Sequence, residues 1–361
     1  MRPMSLPILE TPPARTQPAK PSVFDGTNLH DWLAAAGEKP FRGRQIVKAI
    51  CRDRADTFDA ITTIRLPLRE QLAEAFSILP SKLLHHAVSK DGTEKLLVEL
   101  HDGETLETVL MREGNRRTVC VSSQVGCAMG CVFCASGLLG VKRNLTTGEM
   151  LEQVLRIDRL LPEGERISNV VVMGLGEPMA NLPNVVDFLN LLTSPDGFQI
   201  SPRRLTVSTV GLPKSMRQFA DLQQPYTLAV SLHAPREDLR TEIVPVNEKI
   251  GLKAVLDAAD YYFEQTGRRV TYEYVLLAGR NDSDREAREL ARLLRGRKAH
   301  VNLIPMNNVA ETGCTGSDEP ATYRFADSLA AAGIVATVRK RKGADIDAAC
   351  GQLRLKELTA T

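Results

Sequence analysis

Hydrophobic and polar residues follow two different periods along this chain, and the change between them divides it into regions. Residues 1–22 carry six prolines and little apolar periodicity, which predicts a disordered tail. From Phe24 to about Leu84, apolar residues recur at helical spacing, as at Leu29, Trp32 and Leu33. Residues 23–88 are therefore predicted to form a small helical accessory domain, whose basic residues either contact RNA phosphate or face solvent.

After this region the period changes to that of β-strands. Strands are predicted at Lys95–Leu100 and Leu106–Met111, with turn signals at Asp91-Gly92 and Asp102-Gly103, so residues 89–117 form a β-strand extension. Between residues 118 and 355 strands and helices alternate, and such repeated βα units imply parallel strands with right-handed crossovers. Six units are too few for a complete eight-stranded barrel. We predict an α/β fold, a partial (β/α)6 barrel with a small N-terminal all-α accessory domain.

Polar or glycine-rich signals follow the predicted barrel strands, where the site of such a fold lies. They are Gly174–Pro178, Ser208, Ser231–His233 and Asn307. A Gly-Glu-Pro turn or a single histidine at a strand end is a weak signal by itself. Their convergence on one rim of the barrel predicts a binding site there.

Composition limits the class of protein. The chain has 361 residues, 43% of them hydrophobic, and a net charge of +2 that does not by itself indicate a nucleic-acid binder. No apolar run approaches the roughly 20 residues of a membrane span, and residues 1–24 lack the apolar core of a signal peptide. Seven cysteines, with three of them clustered, suit a reducing compartment. A cytoplasmic protein with no membrane partner is predicted. A local basic cluster, Arg339–Lys342, is a candidate for phosphate contacts.

The clustered cysteines are Cys127, Cys131 and Cys134, spaced C-x3-C-x2-C. Thiolates select zinc or iron–sulfur clusters, and no fourth cysteine lies nearby. A [4Fe–4S] cluster held by three thiolates keeps one iron open for a small molecule. The spacing resembles the signature of radical S-adenosylmethionine (SAM) enzymes, in which that iron binds SAM. The alternative is a structural zinc site with a histidine or a distant cysteine as fourth ligand.

Two further stretches, Thr118–Cys127 and Arg339–Leu353, resemble the RlmN/Cfr family of radical SAM rRNA methyltransferases, and the resemblance extends from about Phe24 to Leu355. It includes two cysteines outside the triplet, Cys120 and Cys350. The resemblance implies that Cys350 takes a methyl group from one SAM, that a second SAM is cleaved at the cluster in the same turnover, and that Cys120 releases the product by forming a disulfide with Cys350.

Other roles are implied by position in the family's motifs. Glu107 matches the general base that removes a proton from the RNA adduct, although the same residue also reads as an ordinary solvent-facing strand carboxylate. The residues that match contacts to SAM are Gly176, Glu177, Ser208, Ser231, Leu232, His233 and Asn307.

The resemblance also implies substrates and partners. They are C2 of adenosine 2503 in 23S rRNA, C2 of adenosine 37 in some tRNAs, and an electron donor such as flavodoxin or ferredoxin. Two alternatives stay open at this stage: methylation of C8 of the same rRNA adenosine, and a non-catalytic RNA-binding protein with a structural metal.

Overall fold

Three short helices form the N-terminal part of the fold: α1 (Asn28–Ala35), α2 (Phe41–Cys51) and α3 (Leu66–Ala75). The computed structural model describes residues 20–25, 28–138, 140–307, 312–348 and 353. The apolar faces of α2 and α3 meet in the core, where Ile46, Ile50, Leu68 and Leu72 are fully buried. Burial of these faces stabilises helices that are too short to be stable alone.

Both ends of the predicted helical domain need correction. Ser22 is buried and forms a β-bridge with Ser77, so the predicted disordered tail of residues 1–22 must end before Ser22. Residues 1–19 lie outside the described part of the chain. At the other end, Lys82–Val88 is a strand and not part of a helix. Leu83 and Leu84 are exposed in this strand, which lies at the edge of the sheet.

The strands of the described chain are β1 (Lys82–Val88), β2 (Glu94–Glu99), β3 (Thr105–Glu113), β4 (Arg116–Val121), β5 (Gln124–Cys127), β6 (Gly140–Asn144), β7 (Asn169–Val172), β8 (Leu205–Thr209), β9 (Thr227–Ser231), β10 (Val270–Leu276), β11 (Ala299–Pro305) and β12 (Ala336–Val338). The remaining helices are α4 (Thr147–Leu160), α5 (Leu182–Thr193), α6 (Pro213–Asp221), α7 (Glu237–Ile243), α8 (Asn247–Ile250), α9 (Leu252–Thr266), α10 (Asp284–Leu294) and α11 (Glu319–Ala331).

One open sheet carries the fold, in the order β1-β2-β3-β4-β7-β8-β9-β10-β11-β12. Strands β1 to β4 pair antiparallel, and every later pairing from β4–β7 to β11–β12 is parallel. Helices connect the successive parallel strands, so the predicted α/β fold, a partial (β/α)6 barrel with N-terminal helices, is confirmed. Strands β5 and β6 form a separate hairpin, which the sequence pattern did not reveal.

Local sequence explains where the helices begin. Thr146 and Glu149 form a reciprocal capping box at the start of α4, in which the Thr146 hydroxyl accepts from the Glu149 amide at 3.1 Å and the Glu149 carboxylate accepts from the Thr146 amide at 2.9 Å. Ser283 and Asp318 cap α10 and α11 through their side-chain oxygens. None of the helices described is long and apolar enough to cross a membrane.

Apolar side chains form three clusters. The largest lies between the sheet and the helices that cover it. A second cluster packs beneath the cysteine triplet at the carboxyl ends of the strands and includes Phe133, Val210, Ile243 and Val275. The third surrounds Cys120. Members of the two smaller clusters line the cavities of the candidate site, so these clusters form part of its walls.

Candidate active site

An open cavity lies at the carboxyl ends of the parallel strands, where the strand-end signals predicted a site. It encloses about 830 Å³ of empty space, part of it open to solvent. Its walls bring together residues from the cysteine loop and from the ends of β7 to β11. They include Cys127, Cys131, Cys134, Gly176, Glu177, Ser208, Ser231, His233 and Glu273.

The hairpin β5–β6 and the helix α7 hold the cysteine loop. A Cβ atom at Gly126, whose φ is +78°, would lie 2.0 Å from the Gly140 carbonyl oxygen, so the hairpin requires glycine there. Within the loop, the Val132 amide donates to the Ile243 carbonyl at 3.1 Å. The Phe133 ring packs edge-to-face on His233 with centroids 4.7 Å apart. The loop is thus tied to both sides of the cavity.

Burial and the charges of neighbouring thiols make Cys127 and Cys131 difficult to ionise without a cation. Burial raises the pKa of Cys127 to about 11 and that of Cys131 well above its usual value. Negative charge on Cys134, and then on Cys127, raises the pKa of Cys131 further. Metal binding favours deprotonated thiols and offsets this cost. Three cysteine thiols in the wall of one cavity fit an iron–sulfur cluster, which is larger than a single metal ion. Within the described ranges, no three Cys, His, Asp or Glu side chains meet around a point that a single metal ion would occupy.

The turn after β7 lies close to the strand segment that precedes the cysteines. A Cβ atom at Gly176, where φ is +101°, would lie 2.6 Å from the Gln124 Cβ. The Glu177 carboxylate accepts hydrogen bonds from the Met179 amide at 3.0 Å and the Val210 amide at 2.7 Å. Burial nevertheless raises the pKa of Glu177. These contacts fix Glu177 between the ends of β7 and β8.

Three further predicted residues line the same cavity. The Ser208 and Ser231 hydroxyl oxygens are 3.5 Å apart. His233 Nδ1 accepts from the Val275 amide at 3.1 Å, so the neutral ring carries its proton on Nε2. Burial, with a smaller effect of the Arg240 charge, lowers the pKa of His233 to about 3, so this neutral form persists at physiological pH.

Two other candidates lie elsewhere. The Leu232 side chain is fully buried in the main core and does not line the cavity. Any role of Leu232 in binding is therefore limited to its backbone. Asn307 lines a second, neighbouring cavity, together with the basic residues Arg339–Lys342.

This second cavity adjoins the first, and we call the two together the chamber. The two share Cys134, Ser136, Met173, Gly174, Ile304 and Arg339 in their walls. The second contains Cys120, which pairs with Val109 of β3 and Val171 of β7. Cys120 therefore faces the same chamber as the cysteine triplet.

Cys350 lies outside the described residues, but residues on both sides of it are placed. Ala348 and Leu353 both pack in the apolar cluster that contains Cys120. The Ser136 hydroxyl, which follows the cysteine triplet, donates to the Leu353 carbonyl at 2.9 Å. The described flanks of the predicted methyl-carrier segment thus contact both the cluster loop and Cys120.

Glu107 is buried on the chamber side of β3, where 4% of the residue is exposed. Its neighbours on that face, Val109 and Met111, line the second cavity. Its carboxylate pairs with Lys95 Nζ at 2.7 Å. The alternative of a solvent-facing carboxylate is therefore wrong.

Sequence reasoning missed two buried charged residues. Arg240 of α7 is fully buried and donates to the carbonyls of Leu232 at 3.1 Å and Ser231 at 3.2 Å, and to Val210 at 2.5 Å. Glu273 of β10 lines the first cavity and accepts from Asn302 Nδ2 at 2.8 Å. Arg240 lies in a polar helical sequence that resembles a solvated face, so no sequence signal marks it.

A partial (β/α)6 barrel with a three-cysteine loop at its strand ends is the architecture of the radical SAM superfamily, and residues 121–291 match the family model with that description. Residues 23–78 match the model of the ribosomal RNA large subunit methyltransferase N-terminal domain. A probable dual-specificity RNA methyltransferase RlmN of Rhodopirellula baltica is 52% identical over 97% of this chain and 95% of its own length.

Other relatives agree. A probable dual-specificity RNA methyltransferase RlmN of Bacillus subtilis is 43% identical over 94% of each chain. The crystal structure of a radical SAM methyltransferase from Sphaerobacter thermophilus superimposes with a TM-score of 0.90 at 44% identity, covering 93% of this chain and 100% of that one. The chain belongs to the RlmN family of radical SAM RNA methyltransferases.

The glycine at the β7 turn provides a test of the site's packing. Gly176→Ala should destabilise the protein twice over, by about 1–3 kcal/mol of backbone strain and about 1–3 kcal/mol of overpacking against Gln124. Gly164→Ala is a matched control, because Gly164 also has positive φ (+84°) but nothing lies within 4 Å of its Cβ position. Thermal unfolding should therefore show a larger loss for Gly176→Ala. Equal losses would mean that the turn does not approach Gln124 as described.

Proposed function

We propose that this enzyme methylates C2 of adenosine 2503 in 23S rRNA and C2 of adenosine 37 in tRNAs, through an S-methylcysteine at Cys350. The observation that carries the proposal is the chamber formed by the two adjoining cavities. Its walls contain the cysteine triplet, Cys120, the described flanks of Cys350 and the basic cluster Arg339–Lys342. The dual-specificity names of the relatives support an rRNA and a tRNA substrate.

The cofactors follow from the residues that line the first cavity. Cys127, Cys131 and Cys134 would hold a [4Fe–4S] cluster, and the neighbouring polar groups of Gly176, Glu177, Ser208, Ser231 and His233 would bind SAM, with Asn307 at the side of the second cavity. When bound, the cluster and SAM supply a carbon-centred radical. Methylation of adenine C2 requires a radical because that carbon is not a nucleophile. One SAM supplies the methyl group and a second supplies the radical, which makes two per turnover.

Three side chains of the protein then act at different steps of the reaction. The Cys350 thiolate attacks the methyl carbon of the first SAM, and S-adenosylhomocysteine leaves. After the methylene carbon has joined adenine, the Glu107 carboxylate takes the proton from C2; the cluster held by the cysteine triplet would supply the acceptor for the one electron that the adduct must lose. The Cys120 thiolate attacks the Cys350 sulfur, so an S–S bond forms and the S–C bond breaks. The electron pair of that bond stays on carbon, which takes a proton and becomes the methyl group.

The RNA and the other partners are assigned by chemistry. Arg339–Lys342 line the mouth of the second cavity, where cations favour the RNA phosphates. Residues 23–78 form the accessory RNA-binding domain in this proposal. A flavodoxin or ferredoxin supplies electrons, an external thiol reduces the Cys120–Cys350 disulfide, and the reaction takes place in the cytoplasm.

The site of methylation can be read directly. RNA from a strain that lacks the enzyme, and from the same strain complemented with this chain, is digested and its adenosines are separated by mass-spectrometric chromatography. We expect 2-methyladenosine at position 2503 of 23S rRNA and at position 37 of tRNA in the complemented strain alone. An 8-methyl product would establish the C8 alternative instead, and absence of any new methyladenosine would contradict the proposal.

The cysteine triplet has a matched internal control. Cys127→Ala, Cys131→Ala or Cys134→Ala should each lose most of the iron and sulfide and reduce SAM cleavage by about 100-fold or more, because two thiolates hold the cluster poorly. Cys314→Ala should behave as wild type, since the Cys314 thiol contacts the Val132 carbonyl at 3.6 Å but does not line the cavity. Iron content and 5′-deoxyadenosine yield are measured after anaerobic purification. A triplet variant with full iron and normal cleavage would rule out its assigned role.

Cys120 and Cys350 act at opposite ends of the reaction, so their variants should differ in kind. Cys350→Ala has no methyl carrier and should form no covalent RNA adduct. Cys120→Ala can still join RNA to Cys350 but cannot release it, so a protein–RNA crosslink should accumulate. Each variant is purified from cells and probed for covalently attached, RNase-sensitive RNA. Normal methylation by Cys120→Ala without a crosslink would exclude the two-cysteine mechanism.

A further inference from the structure

Lys95 contacts both Glu107 and the chain near Cys350, two parts of the chamber that have separate roles in the proposed function. It lies on β2, where it pairs with Val109 of β3, while Glu107 pairs with Leu97. Lys95 and Glu107 are therefore diagonal neighbours on one face of an antiparallel pair, a spacing that a long side chain can cross. The Lys95 Nζ to Glu107 Oε1 distance is 2.7 Å, and only 13% of the Lys95 side chain and 5% of the Glu107 side chain are exposed.

The same ammonium group reaches the chain near the methyl carrier. Lys95 Nζ donates to the Asp347 carbonyl at 3.2 Å, and Asp347 precedes Cys350 by three positions. One nitrogen therefore contacts both the candidate general base and the segment that leads to the candidate methyl-carrying thiol. A buried ammonium group needs such partners, because an unpaired buried charge is costly.

Residues 343–348, which we call the carrier segment, have further contacts with the turn between β1 and β2. The Gly343 amide donates to Asp91 Oδ2 at 3.1 Å. The Asp345 carboxylate accepts from the Ser89 hydroxyl at 2.5 Å and from the Lys90 amide at 3.2 Å. Although partial burial opposes it, hydrogen bonds from Thr93, Gly343 and Ser89 lower the pKa of Asp91 to about 2, so Asp91 remains an acceptor at physiological pH.

We propose that Lys95 is a positioning residue for adduct resolution: it fixes the Glu107 carboxylate relative to the carrier segment. The inference rests on the proposed function, in which Glu107 takes the proton from adenine C2. That step needs a carboxylate at a set distance from an adenine tethered to Cys350. A cation that binds both parts sets that distance. Lys95 does not itself exchange a proton with the substrate.

The test uses Lys95→Met, which keeps the length of the side chain and removes its charge, with Lys95→Arg as the conservative variant. Lys253→Met is the matched control, because Lys253 is an exposed lysine that also pairs with a carboxylate, Asp257, at 2.7 Å. Single-turnover assays on anaerobically purified full-length enzyme measure the product, the covalent protein–RNA adduct and the S-methylation of Cys350.

Lys95→Met should retain its iron and its S-methyl Cys350, release product about 10-fold more slowly and accumulate the adduct. Lys95→Arg should stay within about threefold of wild type. If Lys95→Met releases product as fast as Lys253→Met, the inference is wrong.

A double variant tests whether Lys95 acts through Glu107 or only stabilises the fold. If Lys95 acts through Glu107, adding Lys95→Met to Glu107→Gln should change the release rate by less than about twofold, whereas independent effects would multiply and overturn the inference. Should Lys95→Met lose its iron, Lys95→Gln is measured in its place, with the same limits for the single and the double variant. Failure of the proposed function is distinguishable, because wild-type enzyme would then form neither S-methyl Cys350 nor methylated RNA.

Discussion

The site depends on the close approach of two backbone segments. One is the turn at residues 174–177, and the other is the connection from β4 into β5 at residues 122–124. The Gly174 amide donates to the Val121 carbonyl at 3.0 Å, and the Ser123 amide donates to the Leu175 carbonyl at 2.8 Å. A side chain at Gly174 would collide with Ser122, whose backbone nitrogen lies 2.8 Å from the Cβ position. Because this contact sets the direction of β5, it also sets where the cysteine loop begins.

Buried charge is the second organising feature. Arg240 places a guanidinium group inside the loop that follows β9, and its partners are mainly carbonyl oxygens. Its charge opposes the rise in the pKa of Cys131 that burial and the other thiols cause. Glu177 and Glu273 are buried on the other walls of the same cavity, and burial raises the pKa of both. The cavity thus has one buried cation and two buried carboxyl groups around a thiol centre, where low dielectric strengthens electrostatic effects.

Much of the architecture was predictable, because strongly periodic segments carry their own structural signal. The strands predicted at Lys95–Leu100 and Leu106–Met111 agree with β2 and β3 to within two residues at either end, and most of the strand-end residues converge on one cavity as expected. The pattern failed at two places. Residues 82–88, predicted as part of the helical domain, form the edge strand β1, and the Leu232 side chain, between two cavity residues, points into the core. Lys95 and Arg240 gave no signal, since only tertiary contacts distinguish a buried cation from a solvated one.

The contact between Lys95 and Asp347 has a consequence for the order of folding. The two residues are 252 positions apart, and the carrier segment follows β12, at the opposite end of the strand order from β1 and β2. A contact of such long range repays its loop-closure entropy only after the intervening strands have paired. The carrier segment therefore closes the open side of the barrel late in folding. The segment that leads to the thiol proposed to carry the methyl group is thus ordered only after the walls of the chamber have formed.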